Sequence, residues 1–227
     1  MKSYELIHQL ISLVEDFEND RQENDINLND FAGYLVNYVT VQEKNETVAD
    51  VRFGNEAIEA TELAYQIDNN IGRLLVYMSR YAKSYIKKAL DNTPLQTAED
   101  FTCLAILLTH DNLSKGDLIS KNIQEKTSGT EVIRRLIAAD LAVQWDDEVD
   151  KRGKRIAITA AGRELLYKVF EDMSYVGKMV TGKLNFSEKL HLQYLLQKLE
   201  SFHYNLHENK LIGSKKDMVL FAEMNEK

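Results

Sequence analysis

The spacing of hydrophobic residues changes in the middle of this chain, and that change limits the folds it can adopt. Over residues 127–140 the hydrophobic residues recur at helical spacing, which predicts a helix. Over 141–145 and again over 155–158 they alternate with their neighbours, which predicts two strands. The polar segment 146–154, with Gly153 near its tip, joins the two strands. The sequence therefore predicts a helix followed by a β-hairpin.

Two shorter helices are predicted ahead of this helix, over residues 97–109 and 115–122. Ser114 and Asp117 have the spacing of a capping box, in which a hydroxyl and an acidic side chain bind the first free amides of a helix. Thr127 is the expected N-cap of the third helix. The order helix, helix, helix, strand, basic hairpin, strand is that of a winged helix, which we predict here.

A winged helix that binds DNA uses three of these elements. The second helix crosses the backbone, the third enters the major groove, and the hairpin tip reaches an adjacent groove. Basic side chains neutralise phosphates, and the negative potential of the minor groove attracts arginine. The residues expected to contact DNA are Lys115 and Lys121 on the second helix, Thr127, Ser128, Thr130, Arg134 and Arg135 on the third, and Lys151, Arg152 and Arg155 in the hairpin.

Each of these residues also has a simpler explanation. One of the two adjacent arginines can pair with Glu131 or Asp140, and Thr127 can serve only as a cap. The lysines of the second helix and the basic residues of the hairpin can be solvated surface charges. Gly129, which weakens the third helix by roughly 1 kcal/mol relative to alanine, either permits a close approach to DNA or is a neutral substitution. The sequence leaves these alternatives open.

The net charge of −8 argues against a broad DNA-binding surface, because affinity for DNA comes from neutralised phosphates. The acidic residues concentrate near the N-terminus, whereas basic clusters lie at 134–135 and 151–155. This distribution predicts a focused contact with DNA. The same charge, with Glu131 on the third helix, supports an alternative function, in which the winged helix is a protein-interaction module with vestigial DNA binding.

The sequence carries no enzymatic motif: no glycine-rich phosphate loop, no paired-histidine metal motif and no nucleophile elbow. We therefore expect no catalytic activity, no cofactor and no metal. His203 and His207 share one predicted helix face, but no cysteine lies near them, so we expect packing and not metal binding. Cys103 is the one cysteine, which excludes an internal disulfide, and its apolar neighbours predict a buried position.

No export or membrane segment is predicted. Acidic residues interrupt the first apolar stretch, so we expect no signal peptide. No apolar run approaches the roughly 20 residues that span a bilayer. The expectation is a soluble cytoplasmic protein with no membrane partner.

Three stretches within residues 95–207 together resemble the MarR (multiple antibiotic resistance regulator) family. Residues 118–141 are similar to its scaffold helix, turn and recognition helix. Asp150-Lys151-Arg152 resembles its wing signature, and residues 155–162 resemble its wing strand and the following threonine-to-glycine turn. The resemblance implies a transcriptional regulator, more often a repressor, that binds a pseudo-palindromic operator on double-stranded DNA as a homodimer. It also implies a small-molecule effector.

With this resemblance the chain divides into four parts. Residues 1–94 hold an N-terminal extension and dimerisation helices, including a long helix over about 56–90. Residues 95–162 form the winged helix, 163–208 the C-terminal dimerisation helices, and 209–227 a tail. The expected fold class is mainly α, with one β-hairpin wing on a helical dimerisation scaffold. The chain departs from the family where glycine is usual, at Asp140, and where a basic residue is frequent, at Glu131.

Overall fold

The computed structural model describes residues 2–20, 28–42, 52, 63–148 and 153–225. The chain forms two compact units, Met1–Asn69 and Asn70–Lys227. In the first unit, α1 (Ser3–Asp20) and α2 (Leu28–Gln42) pack through aromatic rings. The ring centroid of Phe17, a buried residue, lies 5.5 Å from that of Phe31 and 5.2 Å from that of Tyr34. These contacts hold the two helices together.

The second unit contains the predicted series of helices and strands. α3 (Ile67–Ala89) begins at the boundary between the units. It is followed by α4 (Ala98–Leu108), β1 (Leu113–Ser114), α5 (Lys115–Lys121), α6 (Lys126–Ala138), β2 (Ala142–Asp146), β3 (Lys154–Ile158), α7 (Ala160–Thr181), α8 (Phe186–Glu208) and α9 (Lys215–Asn225). The predicted winged helix order over α4 to β3 is confirmed, with β1 added.

The three strands form one antiparallel sheet in the order β1-β3-β2. β2 and β3 pair in the predicted hairpin, with Val143 opposite Ala157 and Trp145 opposite Arg155. Leu113 of β1 pairs with Ile156 of β3. β1 was not predicted, because a strand of this length is too short to show an alternating pattern. Its pairing ties the start of α5 to the base of the wing.

One hydrophobic core holds the winged helix together. Buried side chains from α4, α5, α6, β3 and α7 meet in it. The largest of those that are almost completely buried are Leu104, Leu107, Leu118, Leu136, Ile156 and Leu166. Because each such side chain contributes roughly 1.5–3 kcal/mol on burial, this core fixes how α6 sits against α4 and α5. Cys103 belongs to the same core, as its apolar neighbours predicted.

Within the described ranges, three helices end with a non-glycine residue in the left-handed backbone region. These are Ile123 after α5, Asp140 after α6 and Lys210 after α8, with φ of 49°, 58° and 50°. After each of them, the next amide bonds a carbonyl five residues back, as Leu141 N does to Leu136 O at 2.9 Å. This is the Schellman ending, which glycine adopts most easily. It gives a physical reason for the glycine that the family resemblance implies at position 140.

The described part of α3 and the whole of α8 have no buried residues. Both helices nevertheless carry large hydrophobic side chains that solvent reaches: Ile67, Ile71, Leu74 and Leu75 on α3, and Leu190, Leu195, Leu196 and Leu199 on α8. Monomeric proteins rarely expose so much contiguous apolar surface. Residues 56–62 of the predicted long helix lie outside the described residues.

Candidate nucleic-acid interface

The helix α6 presents one polar face to solvent, as a recognition helix must. Its opposite face is buried through Val132, Ile133 and Leu136. Residues three, four and seven positions apart share a helix face. The solvent face is therefore formed by Thr127, Glu131 and Arg134, with Ser128 exposed beside them. Thr130 lies on the same side but is half-buried, and its hydroxyl donates to the Lys126 carbonyl at 2.7 Å. Four of the five residues expected to contact DNA from this helix thus lie together on its accessible side.

Arg134 points away from the core, as the sequence analysis expected. Its side chain is 66% exposed and makes a two-pronged ion pair with Glu131, with Nη2–Oε1 at 2.6 Å and Nε–Oε2 at 2.8 Å. The hydrogen bond from Arg134 lowers the pKa of Glu131 from its ordinary value, so that this side chain is a carboxylate at neutral pH. The pair fixes one acceptor and one donor group side by side on the helix.

Arg135 does not face outward, and this corrects the expectation for that residue. Its guanidinium turns toward α4, where Nε lies 3.2 Å from Oδ1 of Asp100 and Nη2 bonds the same oxygen. The side chain is only 21% exposed, and that of Asp100 is 1% exposed. The sequence analysis allowed one of the two arginines to pair with Glu131 or Asp140, and Arg134 makes the pair with Glu131. Arg135 also approaches Glu131, at 3.9 Å, but its closer partner, Asp100, was not foreseen. We therefore leave Arg135 out of the proposed DNA-contacting set.

Asp100 was not singled out in the sequence. Its Oδ2 accepts hydrogen bonds from the backbone amides of Gln96 and Thr97, at 2.8 and 3.1 Å. The Thr97 hydroxyl in turn accepts from the Asp100 amide, so the two residues form a complete capping box at the start of α4. The spacing of Thr97 and Asp100 could have revealed this box. Nothing in the sequence indicated that the same carboxylate would also receive Arg135.

The start of α6 differs from the prediction. Its N-cap is Glu125, whose side chain makes no capping hydrogen bond, so Thr127 is not the cap. Thr127 and Ser128 instead lie exposed in the first turn, where helix amides have no partner within the helix. Lys126, the first residue of the helix, is exposed beside them and was not predicted as a site residue. A helix start with these groups favours phosphate binding.

The helix α5 begins at the predicted cap, because the Ser114 hydroxyl accepts a hydrogen bond from the Asp117 amide at 3.0 Å. The predicted capping box is half formed, since the Asp117 carboxylate accepts from the Ser114 hydroxyl at 2.7 Å. Of the two lysines expected to contact phosphates, Lys121 is exposed and Lys115 is half-buried. They lie at opposite ends of this short helix. Their contact with DNA stays a prediction.

Gly129 has a role that neither sequence interpretation gave it. It is buried where α6 crosses α5, and a Cβ at this position would lie 2.7 Å from Cγ1 of Ile119. Any residue with a Cβ at this position would require the Ile119 side chain, or the helix that carries it, to move. The close approach that requires Gly129 is therefore between α5 and α6, not between the protein and DNA.

The described part of the wing pairs its basic residues with acids on the facing strand. Arg155 Nε lies 2.7 Å from Oδ2 of Asp147, and Lys154 forms an ion pair with Asp146. The Arg155 side chain, 37% exposed, is thus held near the loop end of the two paired strands. The tip residues Lys151 and Arg152, with Asp150, lie outside the described residues, and their contacts with DNA stay predictions.

The turn from the wing into α7 explains the threonine-to-glycine pattern of residues 159–162. The Thr159 hydroxyl accepts from the Gly162 amide at 3.0 Å and donates to the Asp140 carbonyl at 2.7 Å. A Cβ on Gly162 would lie 2.2 Å from the Leu141 carbonyl oxygen. These contacts join the end of α6, the wing and α7 at one point, which sets the wing beside the recognition helix.

The described ranges contain no group of three or more metal-binding side chains in reach of one ion. His207 Nε2 bonds the Ser120 carbonyl at 3.0 Å, so its contact is with α5. Across the same described ranges, every helix is too short or too polar to cross a bilayer.

Comparison with known proteins gives relatives of one kind, although no family model matches the chain. The HTH-type transcriptional repressor NicR of Pseudomonas putida is 26% identical over 136 residues, which are 60% of this chain and 85% of that protein. The structure of BpsR from Bordetella bronchiseptica, described for regulation of its DNA binding by 6-hydroxynicotinic acid, has a TM-score of 0.54 and 24% identity. It covers 58% of this chain and 98% of that one.

A second similar structure is a cysteine-to-serine mutant of E. coli MarR in complex with operator DNA. Its TM-score is 0.51 at 20% identity, and it covers 59% of this chain and 98% of that one. These similarities confirm the predicted winged helix fold and the resemblance to the MarR family. They span nearly the full length of both structures but little more than half of the present chain.

Proposed function

We propose that this chain, which has the fold of the MarR-family regulators, is a transcriptional regulator that binds operator DNA as a homodimer. The observation that carries the proposal is the accessible face of α6. It sets two exposed first-turn hydroxyls and the Glu131–Arg134 pair on one side of a helix whose other side is buried. A groove-reading helix needs this division between a fixed inner face and a polar outer face.

The Glu131–Arg134 pair has the chemistry to read a base pair. An arginine guanidinium donates two parallel hydrogen bonds to guanine O6 and N7, and a glutamate accepts from the cytosine amine. The negative charge of Glu131, which set this chain apart from the family, is already balanced by Arg134 at 2.6 Å. The pair therefore approaches DNA as a nearly neutral unit, which reduces the repulsion between Glu131 and phosphates.

Phosphate contacts are assigned to residues around this face. They are Lys115 and Lys121 on α5, Lys126, Thr127, Ser128 and Thr130 on α6, and Lys151, Arg152 and Arg155 in the wing. Such contacts set the register of the protein on the duplex, while base contacts set its sequence preference. The net charge of −8 makes the contact depend on this local set and not on the whole surface.

Homodimerisation is supported by the apolar faces of α3 and α8, which are exposed in the single chain. In a two-fold dimer the same patch of both copies is covered at once. The two recognition helices then enter successive major grooves about 34 Å apart, and occupation of the operator blocks the polymerase. A small-molecule effector releases DNA if it binds the dimer more tightly in a conformation in which the two recognition helices are a different distance apart. The NicR name and the BpsR description support repression and control by a ligand.

Selection of bound duplexes from a random pool tests this function. We expect enrichment of an inverted repeat whose half-sites are centred about 10 base pairs apart, one helical turn. Enrichment of a site without two-fold symmetry would contradict the dimeric arrangement. A pool that shows no enrichment, with no retention of the protein on random duplex at low salt, would favour the protein-interaction alternative.

A further inference from the structure

A cavity of about 640 Å³ opens between α5, the end of α8 and α9. Its lining is largely apolar: Phe202 and Leu206 from α8, Ile212 from the connection, and Met218 and Phe221 from α9. The rings of Phe202 and Phe221 meet edge to face, with centroids 6.4 Å apart. The cavity is within the usual size range of small-molecule sites, which are concave, mostly apolar and supplied with few polar groups.

The ionisable groups that line this cavity are all basic. Of its eleven lining residues, all within the described part of the chain, His203, His207 and Lys210 are basic, Ser120 carries a hydroxyl, and none is acidic. The basic character of the cavity contrasts with the chain as a whole, whose net charge is −8. An apolar cavity with basic groups and no carboxylate fits a ligand with an apolar body and one acidic group.

The local structure holds these groups in place. The Schellman ending of α8 puts Lys210 in the left-handed region, and the Leu211 amide bonds the Leu206 carbonyl at 3.0 Å. This turn folds α9 back against α8. On the other side, the bond from His207 Nε2 to the Ser120 carbonyl, at 3.0 Å, fixes the end of α8 against α5. The cavity therefore has walls from three elements that are tied to each other.

We propose that this cavity binds a small organic acid whose apolar part lies among Phe202, Met218 and Phe221 and whose carboxylate pairs with Lys210 and His203. α9 lies beyond residues 95–207, to which the family resemblance applies, so the cavity exists only where the C-terminal segment, through Lys210, Met218 and Phe221, closes over α5 and α8. Binding at the cavity does not depend on the proposed DNA-binding function, and the experiment contains no DNA.

Calorimetric titration of the full chain with 2-naphthoate, and with neutral 2-naphthamide, tests the proposal. We expect naphthoate to bind at one site per chain and the Lys210→Gln variant to bind it about tenfold more weakly, because a charge-assisted hydrogen bond is lost. The affinity for naphthamide should not change with this variant. Lys183→Gln, which removes a charge outside the lining, should leave both affinities unchanged.

The imidazole NMR signals of His203 and His207 give a second measurement that does not rely on a variant. Both should shift on saturation with naphthoate. Absence of binding at millimolar naphthoate would overturn the proposal. So would equal affinity in the wild type and Lys210→Gln, or binding that leaves both imidazole signals unmoved.

Discussion

The guanidinium of Arg135 on the recognition helix α6 pairs with the buried carboxylate of Asp100 at the start of α4. The same carboxylate accepts the backbone amides of Gln96 and Thr97. One side chain thus closes the N-terminus of α4 and holds α6 in its orientation. Because Arg135 is held inward, its neighbour Arg134 is the arginine that α6 presents to solvent and the one that we propose contacts DNA.

Replacement of Asp100 by alanine should destabilise the fold by about 3 kcal/mol or more, because it leaves Arg135 without its partner in a largely buried place. It also removes the acceptor of two backbone amides. Urea denaturation measures the loss. The matched control is Arg134→Ala, which breaks a solvent-exposed ion pair and should change the stability much less. Equal stability of the two variants would show that the Asp100–Arg135 pair does not hold α6.

Gly129→Ala should destabilise the protein by about 1–2 kcal/mol, although alanine is the better helix former. The reason is the 2.7 Å separation between the new Cβ and Ile119 Cγ1. Thermal or urea unfolding measures whether the free energy of unfolding rises or falls. Gly116→Ala is the control, because a Cβ at that position meets only the Ser114 hydroxyl at 3.8 Å. A stabilising effect of Gly129→Ala would contradict the close packing of α5 on α6.

Ile123→Gly should stabilise the fold by about 1 kcal/mol. A β-branched residue with φ of 49° is strained, and glycine relieves that strain at the end of α5. The side chain is 62% exposed, so little apolar contact is lost. Asp140→Gly should increase stability less than Ile123→Gly does, since aspartate tolerates the left-handed region better than isoleucine. A decrease in stability of Ile123→Gly would contradict the Schellman ending of α5.

Burial raises the pKa of the Cys103 thiol to about 12, with a further contribution from the charge of Asp100. In the unfolded chain the Cys103 thiol ionises near pH 8.5–9. Above that pH the folded protein keeps the thiol proton, whereas the unfolded chain loses it. Stability should therefore fall by about 1.4 kcal/mol per pH unit between about pH 9 and 12, relative to a Cys103→Ala variant. Identical pH profiles for the two proteins would show that the thiol is not buried.

The pattern of the sequence was enough to predict the winged helix. Alternation over 141–145 and 155–158 identified the hairpin, because a period of two is one that a helix cannot share. In β3 the alternating residues Ile156 and Ile158 are buried, whereas Val143 and Trp145 of β2 are exposed in the single chain. The spacing of Ser114 and Asp117 identified the start of α5, because capping is a local interaction. The short strand β1 and the uncapped start of α6 at Glu125 had no such signal.

The orientation of side chains was harder to predict than the elements that carry them. Arg134 and Arg135 are adjacent and equally basic. Only the rotation of α6 about its own axis, relative to the core, decides which of the two side chains faces solvent. The partner of Arg135 lies 35 residues away, so no local pattern could identify it. Gly129 likewise depends on the distance between α5 and α6, a tertiary quantity. Composition gave the charge of the chain but not the pairing of Arg155 with Asp147.

The central claim is that α6 reads DNA through its outer face, and the salt dependence of duplex binding by the Arg134→Ala variant tests it most directly. Fluorescence anisotropy with the selected duplex should show affinity about tenfold weaker or more, since a bidentate base contact is worth roughly 1–3 kcal/mol. The salt slope should change little, because a base contact releases few counterions. Lys168→Ala on α7 is the control. Wild-type affinity in Arg134→Ala would contradict the assignment of α6 as the reading helix.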